Sequence, residues 1–213
     1  MKKLIHIVLN FLLPQKCLGC GEENDPPVGG LCQECLKRID YPFLKKANNI
    51  FAAADYNDKF VKKAVWMLKY RKVKQLAKPL AELMHQRLFV GNLVSDKWII
   101  IPIPLSKNRF KERGFNQAEL IARYLAEKVS APMLNNVLVK IKETPSQVSI
   151  KNREERLNNL QGAFAVKNPH LIANKNIILV DDVSTTGATI NEARKILKNA
   201  GAKKVLALVV ARG

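Results

Sequence analysis

Acidic residues are scarce in this chain: 18 Asp and Glu stand against 36 Lys and Arg in 213 residues, a formal net charge of +18. The basic excess is spread along the whole length and not gathered in a tail. Such a balance points to polyanionic partners: nucleic acid, an anionic membrane surface or phosphorylated small molecules. A surface simply rich in Lys gives the same balance, so charge alone decides nothing further. Long apolar runs are also lacking. The best candidate, Leu4–Leu13, is ten residues long and contains His6 and Asn10, whereas about 20 apolar residues are needed to span a bilayer. Lys2 and Lys3 imitate the start of a signal peptide, but no small-x-small cleavage site follows and Pro14 leads straight into cysteines. The segment reads as a short helix, with Leu4, Val8, Phe11 and Leu12 on one face. It is expected to pack on the neighbouring cysteine module or the main domain. Its apolar face and basic start also suit a peripheral membrane contact. The expected location is cytoplasmic, or peripheral at the inner face of the membrane. There is no internal repeat and no low-complexity segment.

Cysteine is confined to one place. All four lie in Cys17–Cys35, spaced as Cys17-x-x-Cys20 and Cys32-x-x-Cys35 with eleven residues between the pairs. Two CxxC pairs suit a tetrahedral Zn2+ site with four thiolate ligands. Gly19 and Gly21 let the first knuckle turn tightly. Asp25–Gly30 is the turn between the arms. So short a segment has little core of its own, so metal binding would supply its folding energy. With no secretory signal, disulfides are disfavoured. No His stands near an open coordination position, so the zinc is expected to be structural.

The densest signal is Ile177–Thr189, IILVDDVSTTGAT. Four apolar residues read as a buried parallel strand. Asp181 and Asp182 follow, then Ser184, Thr185, Thr186, Gly187, Ala188 and Thr189, then a helical pattern from Ile190. A loop that feeds a helix N-terminus offers N–H groups and a positive dipole end to an anion. Gly187 permits close backbone approach. The acids, one step back, can hold sugar hydroxyls or the shell of a Mg2+ ion. Together these features describe a site for a phosphorylated ribose.

Elsewhere, Ile50–Tyr56 reads as a strand and Phe60–Tyr70 as a helix with Phe60, Ala64, Met67 and Leu68 at core spacing. Lys59–Lys78 holds eight basic residues and no acid. Of these, Lys62, Lys63, Lys69, Arg71, Lys72 and Lys74 are the candidate nucleic-acid contacts, with Trp66 and Tyr70 interleaved. Trp66 itself is expected in the core, as most Trp residues are. A second helix is expected over Gln75–Phe89. Lys97–Pro104 is another buried strand. After it, Arg109, Lys111 and Arg113 are expected in a loop at the strand's carboxyl end, where open α/β sheets bind ligands and where cations can receive a departing pyrophosphate. Asn116–Val129 is helical. Val137–Ile141, Gly162–Val166 and Val205–Ala211 read as strands. The polar stretch Lys142–Asn159, with Arg153 and Arg156, is long enough to serve as a mobile lid. The expected fold is an α/β one: an open, mainly parallel sheet with helices on both faces, preceded by a small zinc ribbon. The division is residues 1–45, N-terminal helix and ribbon, and residues 46–213, the α/β domain, with Pro42 and Lys45–Asn49 as the linker.

The Asp-Asp-Val-x-Thr-Thr-Gly-x-Thr pattern resembles the phosphoribosyl pyrophosphate (PRPP) signature of type I phosphoribosyltransferases. The wider chain resembles the ComF family of bacterial competence proteins. The matching pieces are the four-cysteine ribbon, Lys69-Tyr70-Arg71, Arg113-Gly114-Phe115-Asn116-Gln117, Thr144 and Gln147, Arg156 and Asn159 to Gly162-Ala163-Phe164, and the PRPP loop. The resemblance implies a phosphoribosyltransferase fold with a zinc ribbon and a role in natural transformation, where incoming single-stranded DNA is handled on the cytoplasmic side; on a binding-protein reading, the ribbon and first helix would dock a partner such as a DNA-translocation helicase. It also implies ribose contacts from Asp181 and Asp182 and a 5′-phosphate cradle at Thr185–Thr189. In 6-oxopurine enzymes of this fold an Asp in the loop acts on the purine; Thr185 stands there, which weakens a purine-salvage reading. Two outcomes stay open. One is an enzyme that moves phosphoribose from Mg2+-bound PRPP to a nitrogen acceptor, for which no general base is evident. The other, favoured by the charge, is a binding protein for PRPP or a related ligand and for DNA.

Overall fold

The computed structural model describes residues 16–17, 19–22, 31–39, 49–90, 98–143 and 160–213. Its elements run α1 (Gln33–Lys37), β1 (Ile50–Asp55), α2 (Lys59–Tyr70), α3 (Ala77–Val90), β2 (Trp98–Pro102), α4 (Lys107–Arg113), α5 (Gln117–Lys128), β3 (Leu138–Lys140), β4 (Phe164–Val166), β5 (Asn176–Ser184), α6 (Ala188–Asn199) and β6 (Lys204–Arg212). Four strands make the main sheet, in the order β1-β6-β5-β2, and every pair is parallel. Burial on both faces explains the unbroken apolar strands Ile50–Ala54, Trp98–Ile101 and Ile177–Val180. One core lies between the sheet and α2, α3 and α5, and includes Leu68, Leu80, Ile121, Ile178 and Val180. The other lies on the α6 face and includes Ile177, Leu179, Ile190 and Leu197. Alternation along β5 assigns its side chains to these two cores in turn.

The strands at Leu138–Lys140 and Phe164–Val166 do not join the main sheet. They form a separate antiparallel pair, and Val137, Leu138 and Phe164 pack into the α6-side core. The expectation of one sheet is thus corrected.

Helix α2 starts at Asp58, whose Oδ1 accepts from the N–H groups of Phe60 and Val61, both at 2.9 Å, a side-chain cap on two orphan donors. Its buried stripe is Val61, Ala64, Val65 and Leu68; Phe60 and Met67 are only half-buried. In α3, Pro79 is the third residue, where the missing N–H has no partner to lose. The cysteine module adds Leu31, Leu36 and Ile39 to the α2-side core, so it is packed into the molecule's main apolar cluster.

The segment with Arg109, Lys111 and Arg113 is helical, not a loop. Ser106 precedes the helix, and Gly114 ends it in the left-handed region at φ 77°, with its N–H donating to the Phe110 carbonyl at 2.7 Å. Glu143 Oε1 accepts from the Asn108 N–H at 3.2 Å, which ties the helix's positive end to the segment after β3.

Candidate functional site

β5 runs through the acids and ends at Ser184. Asp181, Val183 and Ser184 are in register with Val209, Ala211 and Arg212 of β6, so the extended backbone is held by its neighbour. Successive strand residues face opposite sides. Asp181 accordingly takes the α6 side and lines a shallow, solvent-open cleft with Val183, Ser184, Thr185, Gly187, Ala188, Thr189 and Ile190. Thr186, between these residues, turns inward: its Oγ1 accepts from the Ala188 N–H at 3.3 Å. Gly187 has φ 78°, a backbone conformation that favours glycine, and a Cβ there would press on the Ile50 Cδ1 methyl at 2.9 Å. The first turn of α6 follows directly. Its N–H groups lack carbonyl partners from a preceding turn, which gives the cleft a positive end suited to a phosphate.

Asp182 takes the other side and is absent from the cleft lining. Its Oδ1 lies 2.8 Å from Lys69 Nζ on α2, and its Oδ2 is buried with no partner. Only 3% of Asp182 is exposed. Burial works against the Lys69 charge, but the Asp182 carboxylate, with help from Asp181, holds the ammonium above its usual range; Arg113 opposes this. Lys69 is therefore turned inward to an acid and is not part of an exposed basic face.

Burial, and then the Asp182 carboxylate, push Asp181 up to about 7, against the pull of Lys69 and Lys140. Between its ordinary value of 3.8 and about 7 the folded chain keeps a proton that the unfolded chain releases. Unfolding free energy should accordingly fall as pH rises through that window. Urea unfolding across the window should show this fall in the wild type and a flatter profile in Asp181→Asn. Identical profiles would contradict the shift.

The three expected pyrophosphate contacts separate. On a helix, residues four apart share a face and residues two apart do not. Arg109 and Arg113 thus lie to one side, with Lys111 exposed on the other. Arg109 and Asp181 both act on Lys140, whose ammonium is pushed down by burial first and by Arg109 next. Lys140, which was not among the expected site residues, places a cation within electrostatic reach of Asp181. Arg113 is buried. Its Nη1 donates to Gln117 Oε1 at 2.9 Å, and its guanidinium lies 5.6 Å from the Tyr70 ring centroid. Asn116 caps α5 through the Ala118 N–H and donates to the Ile103 carbonyl, both within 3.0 Å, which fixes the α4–α5 corner on the end of β2.

Lys62, Lys63, Arg71, Lys72 and Lys74 are exposed. Trp66 is exposed too, at 46%, against the expectation that it is core. Arg153, Arg156, Thr144, Gln147, Asn159, the Leu4–Leu13 helix, the Asp25–Gly30 turn and Pro42 lie outside the described residues.

The sulfur atoms of Cys17, Cys20, Cys32 and Cys35 lie within 4.8 Å of one another, and all four cysteines are free thiols. The backbone N–H groups of Gly19 and Cys32 each donate to Cys17 Sγ at 3.3 Å, and that of Cys35 to Cys32 Sγ at 3.4 Å. Burial alone would raise the Cys17 thiol, but these backbone donors outweigh it and hold it at about 6. Burial and the neighbouring sulfurs push Cys35 up to about 12. Four converging sulfurs with N–H donors aimed at them fit a metal ion such as zinc. A central cation would remove the mutual repulsion that keeps Cys35 protonated.

A family model for the phosphoribosyl transferase domain matches residues 111–213. Competence protein ComFC of Bacillus subtilis (strain 168) is 32% identical over 191 residues, covering 87% of this chain and 72% of that protein. Competence protein F of Haemophilus influenzae is 37% identical over 115 residues, covering 53% of this chain and 49% of that protein, so the match spans about half of the relative's length. DNA utilization protein YhgH of Salmonella typhi is 28% identical over 199 residues, covering 91% and 81%.

Proposed function

The chain belongs to the ComF family of competence proteins, and from that premise we propose that it binds PRPP or a related phosphorylated ribose ester, and single-stranded DNA, in DNA uptake during natural transformation. The observation that carries the ligand reading is the cleft itself. A carboxylate, a hydroxyl-rich loop and the positive end of α6 line one solvent-open cleft. The 5-phosphate would sit on Thr185–Thr189, taking N–H groups of the first turn of α6. Asp181 would accept from a ribose hydroxyl. A diphosphate would lie toward Lys140 and Arg109, and Mg2+ would enter with it as its counter-ion. Asp182, held by Lys69, would fix the strand end and not touch the sugar directly.

The DNA reading rests on the charge of +18, the exposed cations of Lys59–Lys78, and the relatives' names, which speak of competence and DNA utilization. Zn2+ would be held by Cys17, Cys20, Cys32 and Cys35 and would supply folding energy. The ribbon and N-terminal helix (residues 1–45) are the proposed docking piece for a DNA-translocation helicase, and residues 46–213 the ligand-binding domain. No helix among the described residues is long and apolar enough to cross a membrane; a peripheral position at its cytoplasmic face fits the basic charge.

Millimolar Mg·PRPP, at about 100 times Kd, should raise Tm by roughly 5–10 °C. Asp181→Asn should lose most of that shift. No shift in the wild type would contradict the ligand assignment. The cations near Asp181 also suit a departing pyrophosphate, so turnover is a second reading. Pyrophosphate release with PRPP and a panel of nucleobases decides it, and silence across the panel leaves a binding protein.

A further inference from the structure

The outer face of α2 carries an arrangement that the phosphoribosyl cleft does not use. The helix buries Val61, Ala64, Val65 and Leu68 completely, yet turns two large rings to solvent, Trp66 at 46% and Tyr70 at 52% exposure. Four residues apart, they stand on adjacent turns, with centroids 6.0 Å apart and planes tilted by 43°. Each ring has its own guanidinium: Arg71 lies 5.6 Å from the Trp66 centroid, and Arg113 5.6 Å from the Tyr70 centroid. One turn earlier, the same face presents Lys62 and Lys63. Leaving this much aromatic surface wet costs hydrophobic free energy. The pairing with cations argues against an apolar protein groove, because protein interface cores are depleted of charge.

We propose that Trp66 and Tyr70 form a two-base stacking platform for single-stranded nucleic acid. The bases lie on the rings, and the backbone phosphates follow Lys62, Lys63 and Arg71. The proposal rests on the DNA-binding reading above and goes beyond it, because it assigns base contact to two residues outside the cationic set. Rings supply affinity that is insensitive to salt, whereas cations supply the salt-dependent part through counterion release. The platform also has a fixed neighbour. Arg113, which backs Tyr70, acts electrostatically on Lys69, the partner of Asp182.

The experiment compares three probes on the full chain: an oligothymidylate, an abasic oligonucleotide of equal length and charge, and polyglutamate. Binding is followed by anisotropy, and solvent access to Trp66 by acrylamide quenching; Trp98 is only 5% exposed and contributes little quenching. The wild type should prefer the oligothymidylate over the abasic strand by roughly tenfold or more, and the oligothymidylate should protect Trp66 from acrylamide. Trp66→Leu and Tyr70→Leu should each lose about tenfold in oligothymidylate affinity with the salt slope unchanged. Replacing Lys62, Lys63 and Arg71 by Ala should instead flatten the slope. If the wild type binds both strands equally, or binds polyglutamate as well as it binds the oligothymidylate, the platform is refuted while charge-driven binding survives. If the wild type binds neither strand at low salt, the DNA reading falls, and the platform falls with it.

Discussion

Replacing Lys69 by Ala is expected to cost about 3–5 kcal/mol of folding stability. The variant would leave Asp182, only 3% exposed, as a buried carboxylate with no cation. Its Oδ2 already lacks a partner, and the one backbone donor on its Oδ1, the Val183 N–H at 2.6 Å, carries no full charge to replace the ammonium. Asp182→Asn alone strands the Lys69 charge and should also cost several kcal/mol. The double variant, Lys69→Ala with Asp182→Asn, removes both charges and should recover part of the sum. Urea unfolding of the four proteins measures this directly. A Lys69→Ala cost below about 1 kcal/mol would place the pair among weak surface bridges and remove Asp182 as a structural anchor of the strand end.

Gly19→Ala should prevent the cysteine module from holding a metal ion. A Cβ at Gly19 would lie 2.5 Å from Cys35 Sγ and 3.0 Å from Cys35 Cβ, a clash that the four-sulfur cluster cannot absorb without opening. Elemental analysis of the wild type should give about one zinc per chain, and the variant should fall well below half of that. Because Leu31, Leu36 and Ile39 belong to the same core as α2 and α5, metal loss should reach the main domain. A strong chelator should lower the wild-type Tm by roughly 10 °C or more. Full metal occupancy in Gly19→Ala, or a chelator-treated Tm within a degree of the untreated one, would contradict a metal-dependent module.

Much of the fold is legible from local pattern. Ile177–Val180 declares a buried parallel strand because both faces are covered, and the helix from Ala188 follows at once. The four cysteines converge as their spacing implies. What pattern misses depends on partners. Hydropathy ends β5 at Val180, whereas β6 holds it in register to Ser184, and that continuation is what sends Asp181 and Asp182 to opposite faces. Nothing in the sequence marks Lys69 as the partner of Asp182, since 112 residues lie between them. Helix α4 is hidden by its charge, although Ser106 before it and Gly114 after it are its cap signals. The exposure of Trp66 follows from helical phase. At 3.6 residues per turn it lies about 140° from Val61, and well away from the Val61, Ala64, Val65 and Leu68 stripe. A preference of Trp for burial is weaker than that geometry. The Leu138–Lys140 and Phe164–Val166 pair reads as ordinary strands because three residues carry no sign of which sheet they will join.

A crystal of the protein grown or soaked with Mg·PRPP tests the central claim most directly. The account places the 5-phosphate against the backbone of Thr185–Thr189, a ribose hydroxyl on Asp181, and the diphosphate toward Lys140 and Arg109, with Asp182 still on Lys69. Density for the sugar phosphate anywhere else, or an Asp181 carboxylate that touches no part of it, would contradict the assignment of this cleft.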